Sequence, residues 1–480
     1  MSVVTLQIGQ CGNQLGYSLF EALSLDPDAA TTFFHERSGG ESGSSSGSAS
    51  GARPGVKPWR ARAVLIDMEP KVIDSTVASA RAAPSPWSYA GCGSLARHSG
   101  SGNNWALGHN TFGAAVRDDA LDLVRRELEA ADWLEGFLLL QSVAGGTGAG
   151  LGTCLAEALA DEVGPGPLVN VCVWPYESGE VSVQPYNALL TLSHLAAVSD
   201  GLLLLQNEAL HAACTKLMGV PRPGFADLNG VAATALASAL LPAYPRPAAG
   251  APAGSPPGPG PGARQPAGGR VLGRVPLHPL GDLVAHLTPH PSFRLASVRH
   301  VPQLAPGSLD FTTFTWGALL RRLRQMAVTG ATATAGRAQG RAAFAHMCAP
   351  PAAPAAAAAA LPAHRYRNKA AASALLLRGQ GAGDVDASEL ADPRWHAAWR
   401  GEPLMVAASA TRFGGCQMAA TLLAADQACV APLRRMQERG YRMASSRAFL
   451  HQYEAHGLEE GQLLASFAAI EDTLAAYAAL

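Results

Sequence analysis

Residues 142–153 read SVAGGTGAGLGT, set between the apolar run FLLL and the helix-like CLAEALA. Gly145, Gly146, Gly148 and Gly150 crowd this stretch. Glycine tolerates positive φ, so such a loop turns backbone N–H groups inward around an anion. A helix expected from near Leu151 aims its positive end at the same point. Two familiar phosphate loops do not fit. A P-loop closes with Gly-Lys-Ser/Thr, and no Lys is present here. The dinucleotide pattern GxGxxG fails because Leu151 and Thr153 occupy the places its last glycine would take. Asp67 also precedes the loop, whereas a ribose-binding acid follows it by about twenty residues. Hydride-transfer chemistry is disfavoured.

Outward from the loop, apolar strands alternate with helical periodicity. VVTLQI (Val3 to Ile8) is followed by a loop, GQCGNQ, and the helix-like LGYSLFEALSL; RAVLI ends at Asp67. Leu121, Val124 and Leu128 fall at helical spacing, as do Leu151, Leu155 and Leu159 after the glycine loop. LVNVCVW and LLLL follow, each trailed by a helical stretch. This run of βα units predicts an α/β fold with a doubly wound parallel sheet over roughly the first 240 residues. Ligands of such sheets bind beyond the carboxyl ends of the strands. GQCGNQ, DMEP, AGGTGAG and NEA all fall there, so the sequence predicts a nucleotide site on one rim.

The chain has 480 residues, net charge −1 and pI near 6.9. No basic field draws it to nucleic acid or to an anionic membrane. Eight cysteines are scattered without a CxxC pair, as in reduced intracellular proteins. The start, MSVVTLQIGQCG, lacks a basic region followed by a long apolar one, so a secretory signal is not expected. The expectation is a cytosolic protein with neither nucleic-acid nor membrane partners. Segments 38–58, 245–270 and 330–363 are rich in Gly, Ser, Pro or Ala and read as surface insertions or flexible loops.

AGGTGAG also resembles the phosphate loop of the tubulin family. GQCGNQLG, DMEPKVID, SGNNWALGH, PYNALLTLSHL, NEALHAAC, FADLN and RAFLHQYEAHGLEE resemble other tubulin segments, in tubulin order. Within the family, SVVTLQIGQCGNQ, WPYESGEVSVQPYN, HPLGDLVAHLTPHPSF and FTTFTWGALLRRLRQM are similar to the delta branch. The final IEDTLAAYAAL is unlike the Glu-rich tails of alpha and beta subunits. The resemblance implies a GTP-binding domain over 1–244 that includes a central helix opening at Phe225. It further implies an α+β intermediate domain over 271–420 and a C-terminal helical hairpin within 421–480.

The resemblance also implies roles for particular residues. Gln10 and Cys11 lie under the phosphates of GTP or GDP, although Cys11 also reads as a small core thiol. Asp67 and Glu69 hold Mg²⁺ directly or through water, in keeping with that ion's preference for a few carboxylates plus phosphate oxygens. Asn103 senses the γ-phosphate. Ser142, Ala144, Gly145, Gly146, Thr147, Gly148, Ala149 and Gly150 form the phosphate loop, with backbone amides in place of a lysine. Asn207 and Asn229 read the guanine edge, and Phe225 stacks on the base or is simply a core Phe at a helix start. Gln184 stands near the ribose where alpha and beta subunits have Glu. Asp282 matches the acid that one subunit inserts toward the nucleotide of the next, there to orient or deprotonate water. It also reads as a capping residue of the helix LVAHL. His286 and His290 are four apart, but Pro289 and Pro291 break their helix and no third ligand is near, so they read as surface histidines.

Functionally, the resemblance implies a GTP-binding cytoskeletal protein with other tubulins as partners. It acts at centrioles or basal bodies in triplet-microtubule formation and cilium assembly, with GTP hydrolysis awaiting a partner subunit. A non-polymerising GTP-binding adaptor and a conventional lattice subunit are the alternative readings.

Overall fold

Buried along its whole length, the first strand has no polar face to offer solvent. In chain order the strands are β1 (Ser2–Ile8), β2 (Phe34–Glu36), β3 (Trp59–Ala61), β4 (Ala63–Asp67), β5 (Trp87–Ser88), β6 (Ser94–Ala96) and β7 (Leu134–Ser142). They continue as β8 (Leu168–Trp174), β9 (Gly201–Gln206), β10 (Tyr244–Pro245), β11 (Leu295–Val301), β12 (Ala370–Gly379), β13 (Leu404–Ser409) and β14 (Met418–Asp426). The computed structural model describes residues 1–36, 57–91, 93–162, 166–179, 181–246, 275–304, 314–331 and 367–480. Most of each insertion predicted at 38–58, 245–270 and 330–363 lies outside the described residues.

One sheet takes in eleven strands, ordered β10-β13-β12-β14-β11-β9-β8-β7-β1-β4-β6. From β6 to β9 every pairing is parallel. This is the doubly wound sheet the alternating pattern predicts, and its strand order reverses between β1 and β7. Alternate residues feed two cores. Val4, Leu6 and Ile8 of β1 and Leu139 of β7 pack on one face, while Val3, Leu138 and Leu140 pack on the other. Both faces are covered, which explains near-continuous apolar strands such as FLLL and LLLL.

Beyond β9 the sheet continues into the region after residue 271. β11 joins β9 in parallel; β14 then runs antiparallel to both β11 and β12. The Trp316–Thr329 helix covers one face there, with Leu319 and Leu323 against Leu375 and Leu422. Thr315 caps its start by accepting from the Ala318 N–H, and Gly330 at φ +73° ends it.

The Phe225–Leu240 helix buries the stripe Leu228, Val231, Ala235 and Ala239. Arg378 of β12 fixes its C-terminal end by donating to the carbonyls of Ser238, Leu241 and Pro242. A buried polar chain continues from Ser238 Oγ to Thr421 Oγ1 and His300 Nδ1, each step 2.8 Å. The predicted helical hairpin comprises Val430–Ser445 and Glu460–Ala478, and Leu463, Phe467, Ile470, Leu474 and Tyr477 are all buried. It packs on the Gln184–Val198 helix. Among the described residues no helix is long and apolar enough to cross a membrane.

Three local expectations are corrected. GQCGNQ is not a loop: the helix Gly9–Leu23 follows β1 directly, because Gly9 at φ +71° turns the chain from strand to helix at one residue. Nor does the helix after β7 wait for Leu151, since a helical turn already spans Thr147–Leu151 ahead of Gly152–Glu162. His286 also departs from the surface reading. It is half-buried, and Nε2 donates to the carbonyls of Ser373 and Pro403, whereas His290 is exposed.

Candidate nucleotide site

The carboxyl ends of β4, β1, β7, β8 and β9 stand side by side in the sheet. Asp67 closes β4, Gly9 follows β1, Ser142 closes β7 and Asn207 follows β9. Four strand spacings make this row about 19 Å long, the reach of an extended ligand. The strand-order reversal falls inside it, between Gly9 and Ser142.

At that point the chain segments touch. A Cβ on Gly9 would lie 2.9 Å from Gly148 N, and one on Gly146 would lie 2.6 Å from Ser101 Oγ. Thr147 Oγ1 donates to Ser101 Oγ at 3.0 Å. Gln10 is exposed beside this contact; Cys11 is partly covered, and burial pushes its thiol up to about 12. Cys11 also packs at the edge of the core, so both roles raised for it coexist.

The glycines serve a purpose other than the one the sequence suggested. Gly145, Gly146, Gly148 and Gly150 all keep φ outside the left-handed region. What Gly146, Gly148 and Gly150 supply is missing bulk. A Cβ on Gly150 would fall 2.2 Å from Trp105 O, and one on Gly148 would sit 3.2 Å from the Ser142 backbone. Gly146 O accepts from Gly150 N at 2.7 Å, so the first helical bond forms there. The amides ahead of it, from Gly146 to Ala149, are the N-terminal donors a helix cannot satisfy internally. Such free N-terminal amides can hold an anion without any lysine. Ser142 Oγ accepts from Ala144 N at 3.2 Å and closes the turn into the loop.

Asp67 is 5% exposed, and Oδ2 is buried without a hydrogen-bond partner. Burial pushes its carboxyl up to about 6. A cation would relieve both conditions, and the donor set fits a hard ion. Glu69 is exposed; its Oε1 lies 3.2 Å from where a Gly100 Cβ would be, so this acid borders the 99–103 segment. Asn103 is exposed at φ +52°, and its Oδ1 lies 3.8 Å from a Cβ position on Gly145.

At the other end of the row, Asn207 opens the Asn207–Lys216 helix. Asn229 and Phe225 share a face of the Phe225–Leu240 helix, four residues apart. The two helices pack through Ala213, Cys214, Leu228 and Val231. Phe225 is 57% exposed, which corrects the core-residue reading and leaves its ring free to stack. Gln184 is buried, and its Nε2 donates to Tyr176 O at 2.9 Å. Its amide therefore braces the segment after β8 and is not presented to solvent near a ribose.

Sequence reasoning missed Asn187, although PYN carried part of the resemblance. Its Nδ2 donates to Asn103 O and Ala144 O, both at 2.7 Å. Its Oδ1 accepts from Trp105 N at 3.0 Å and Tyr453 OH at 2.6 Å. One buried amide thus joins the glycine loop, the Asn103 turn and the C-terminal region. No local periodicity signals such a role.

Asp282 lies elsewhere. Glu135, at the opposite end of β7, accepts from His278 Nδ1 at 2.7 Å and from Gly281 N at 3.2 Å. The Gly281–Leu287 helix is thereby pinned to the amino edge of the sheet, and Asp282 Oδ2 accepts from His278 N at 2.8 Å. β7 is nine residues long, so roughly 26 Å of strand separates this edge from Ser142. Asp282 is out of reach of the same chain's glycine loop. A cleft of about 540 Å³ lined by Phe137, Leu159, Pro167 and Val284 also opens at this lower edge.

Comparisons with known proteins point to one family. Residues 2–215 match the tubulin/FtsZ family, GTPase domain. The chain is 35% identical over 485 residues to the tubulin delta chain of Mus musculus, covering all of both chains. It is 34% identical over 481 residues to that of Homo sapiens, covering 99% of each. Against the tubulin beta chain of Porphyra purpurea, 34% identity extends over 244 residues, 47% of this chain and 49% of that one.

Proposed function

Because the chain belongs to the tubulin/FtsZ family, of cytoskeletal proteins whose GTPase domain implies GTP or GDP binding, we propose that it is a delta-type tubulin holding a guanine nucleotide at the β1/β7 reversal. One observation carries the reading: Gly9–Cys11, Asp67–Glu69, Ser101–Asn103 and Ala144–Gly150 meet at the strand-order reversal. The phosphates rest on the amides from Gly146 to Ala149. The base lies toward Asn207, Asn229 and Phe225. Asp67 and Glu69 hold Mg²⁺, which when bound neutralises phosphate charge. Family members work with other tubulins, and the partners here are other tubulin subunits at centrioles or basal bodies, where the chain supports triplet microtubules and cilium assembly.

Support for a polymer-forming role comes from the placement of Asp282 on the edge opposite the glycine loop. Head-to-tail stacking would bring the acid of one subunit to the nucleotide of another, a heterologous contact that propagates. The bond from His278 N to Asp282 favours a second reading, in which Asp282 is a capping residue and the chain is a GTP-binding adaptor. The primary test is the nucleotide released on denaturing the purified chain. Guanine nucleotide at one per chain, lost in Gly150→Val, supports the reading; adenine nucleotide or none would overturn it.

A further inference from the structure

We propose that His109, Glu157 and His194 form a binding site for one divalent transition ion of the zinc class, separate from the nucleotide site. Among the described residues these side chains place three potential ligand atoms within 4.8 Å of one another. They come from three elements: the Leu107–Phe112 turn and the helices Gly152–Glu162 and Gln184–Val198. Two imidazole nitrogens and a carboxylate oxygen are the donor set zinc takes when a fourth position stays open to water. Mg²⁺ prefers oxygen ligands, so the two metals sort by chemistry between this cluster and Asp67–Glu69.

The cluster is positioned by its surroundings. Trp105 stacks on His109 with centroids 4.3 Å apart and rings inclined by 12°, and it touches His194 at 4.9 Å. His109 Nδ1 donates to Asn110 Oδ1 at 2.7 Å, and this leaves Nε2 to face Glu157. Such an outer hydrogen bond is what fixes the tautomer of a metal-binding histidine. Asn110 is itself tethered, donating to His456 O at 2.8 Å.

His109 Nε2 and His194 Nδ1 now donate to the two oxygens of Glu157 at 2.8 and 2.7 Å. An incoming ion replaces both hydrogen bonds, and each nitrogen that binds it gives up the proton it shares with Glu157. The side chains are 18–31% exposed, which gives an ion a way in. A metal–nitrogen distance of about 2.0 Å requires only side-chain adjustment from the present spacing.

The test uses the full chain, prepared without a polyhistidine tag, stripped by chelator and held in excess Mg²⁺. Zn²⁺ is titrated against a chromophoric chelator, and Co²⁺ is followed by visible absorption. The expected result is one Zn²⁺ per chain and the intense Co²⁺ bands of four-coordinate nitrogen/oxygen ligation. His194→Gln and Glu157→Gln should each weaken Zn²⁺ at least about 100-fold, with unchanged circular dichroism. No stoichiometric Zn²⁺ would overturn the proposal. So would equal affinity in wild type and both variants, or a weak octahedral Co²⁺ spectrum in the wild type, a reading that holds even if a variant misfolds.

Discussion

Asn187 shows how much a single buried amide can organise. Its four hydrogen bonds reach Asn103, Ala144, Trp105 and Tyr453, and three of those partners belong to or flank the glycine loop. Asn187→Ala leaves the Tyr453 hydroxyl and the two carbonyls without this partner. At about 1 kcal/mol or more per buried group, nucleotide affinity should fall by 10-fold or more, measured as the rate of release of a fluorescent guanine nucleotide. Unchanged release would show that the amide is only packing. A second residue-scale effect concerns pH. His300 is wholly buried, and desolvation, reinforced by the Arg378 charge, lowers it to about 4; burial lowers His396 to about 4 as well. Both are neutral in the native state. Below about pH 6.5 the unfolded chain takes up protons that the folded chain refuses. Stability therefore drops as pH falls from about 6.5, levelling off below about 4, by on the order of 3 kcal/mol per histidine. Urea midpoints at pH 7.5 and pH 5 measure the drop, and His300→Gln should shrink it.

At the scale of the element, the turn after β7 works because neighbouring backbones reach into space that side chains would occupy. Gly150→Ala puts a methyl 2.2 Å from Trp105 O and 2.8 Å from His109 N, both backbone atoms with little freedom to move. The cost should be about 1–3 kcal/mol, and the nucleotide should be lost with it. Gly145→Ala meets nothing nearer than Asn103 Oδ1 at 3.8 Å, so thermal unfolding should barely change. Equal destabilisation by the two would refute the packing account. That contrast was hidden in AGGTGAG, where both glycines look alike. The neighbours that separate them, Trp105 and Asn103, are some forty residues upstream.

Across the whole molecule, the sheet sets the distance between function at its two edges. Glu135 and Ser142 are the near-terminal residues of one strand, yet one anchors the Asp282 helix and the other opens the glycine loop. Mixing the chain with alpha/beta-tubulin dimers should raise GTP turnover if Asp282 acts on a neighbouring subunit, and Asp282→Ala should remove the rise. Bound GTP that persists unhydrolysed in every mixture would favour the adaptor reading.

The sequence by itself determined the strands β1, β4, β7, β8 and β9, their parallel winding, and the segments that gather at the rim. These rest on periodicity and on loop composition, which local residues encode. Only the tertiary structure decided that GQCGNQ is helical, that the loop glycines provide clearance without positive φ, and that Phe225 is exposed while Gln184 is spent on Tyr176 O. It likewise decided that Asn187 meets Tyr453 and that His109, Glu157 and His194 converge, while the sequence-adjacent pair His286 and His290 does not. The physical reason is common to all of these. Each depends on which backbone passes within a few ångströms of which side chain, and that is set by the order of strands in the sheet.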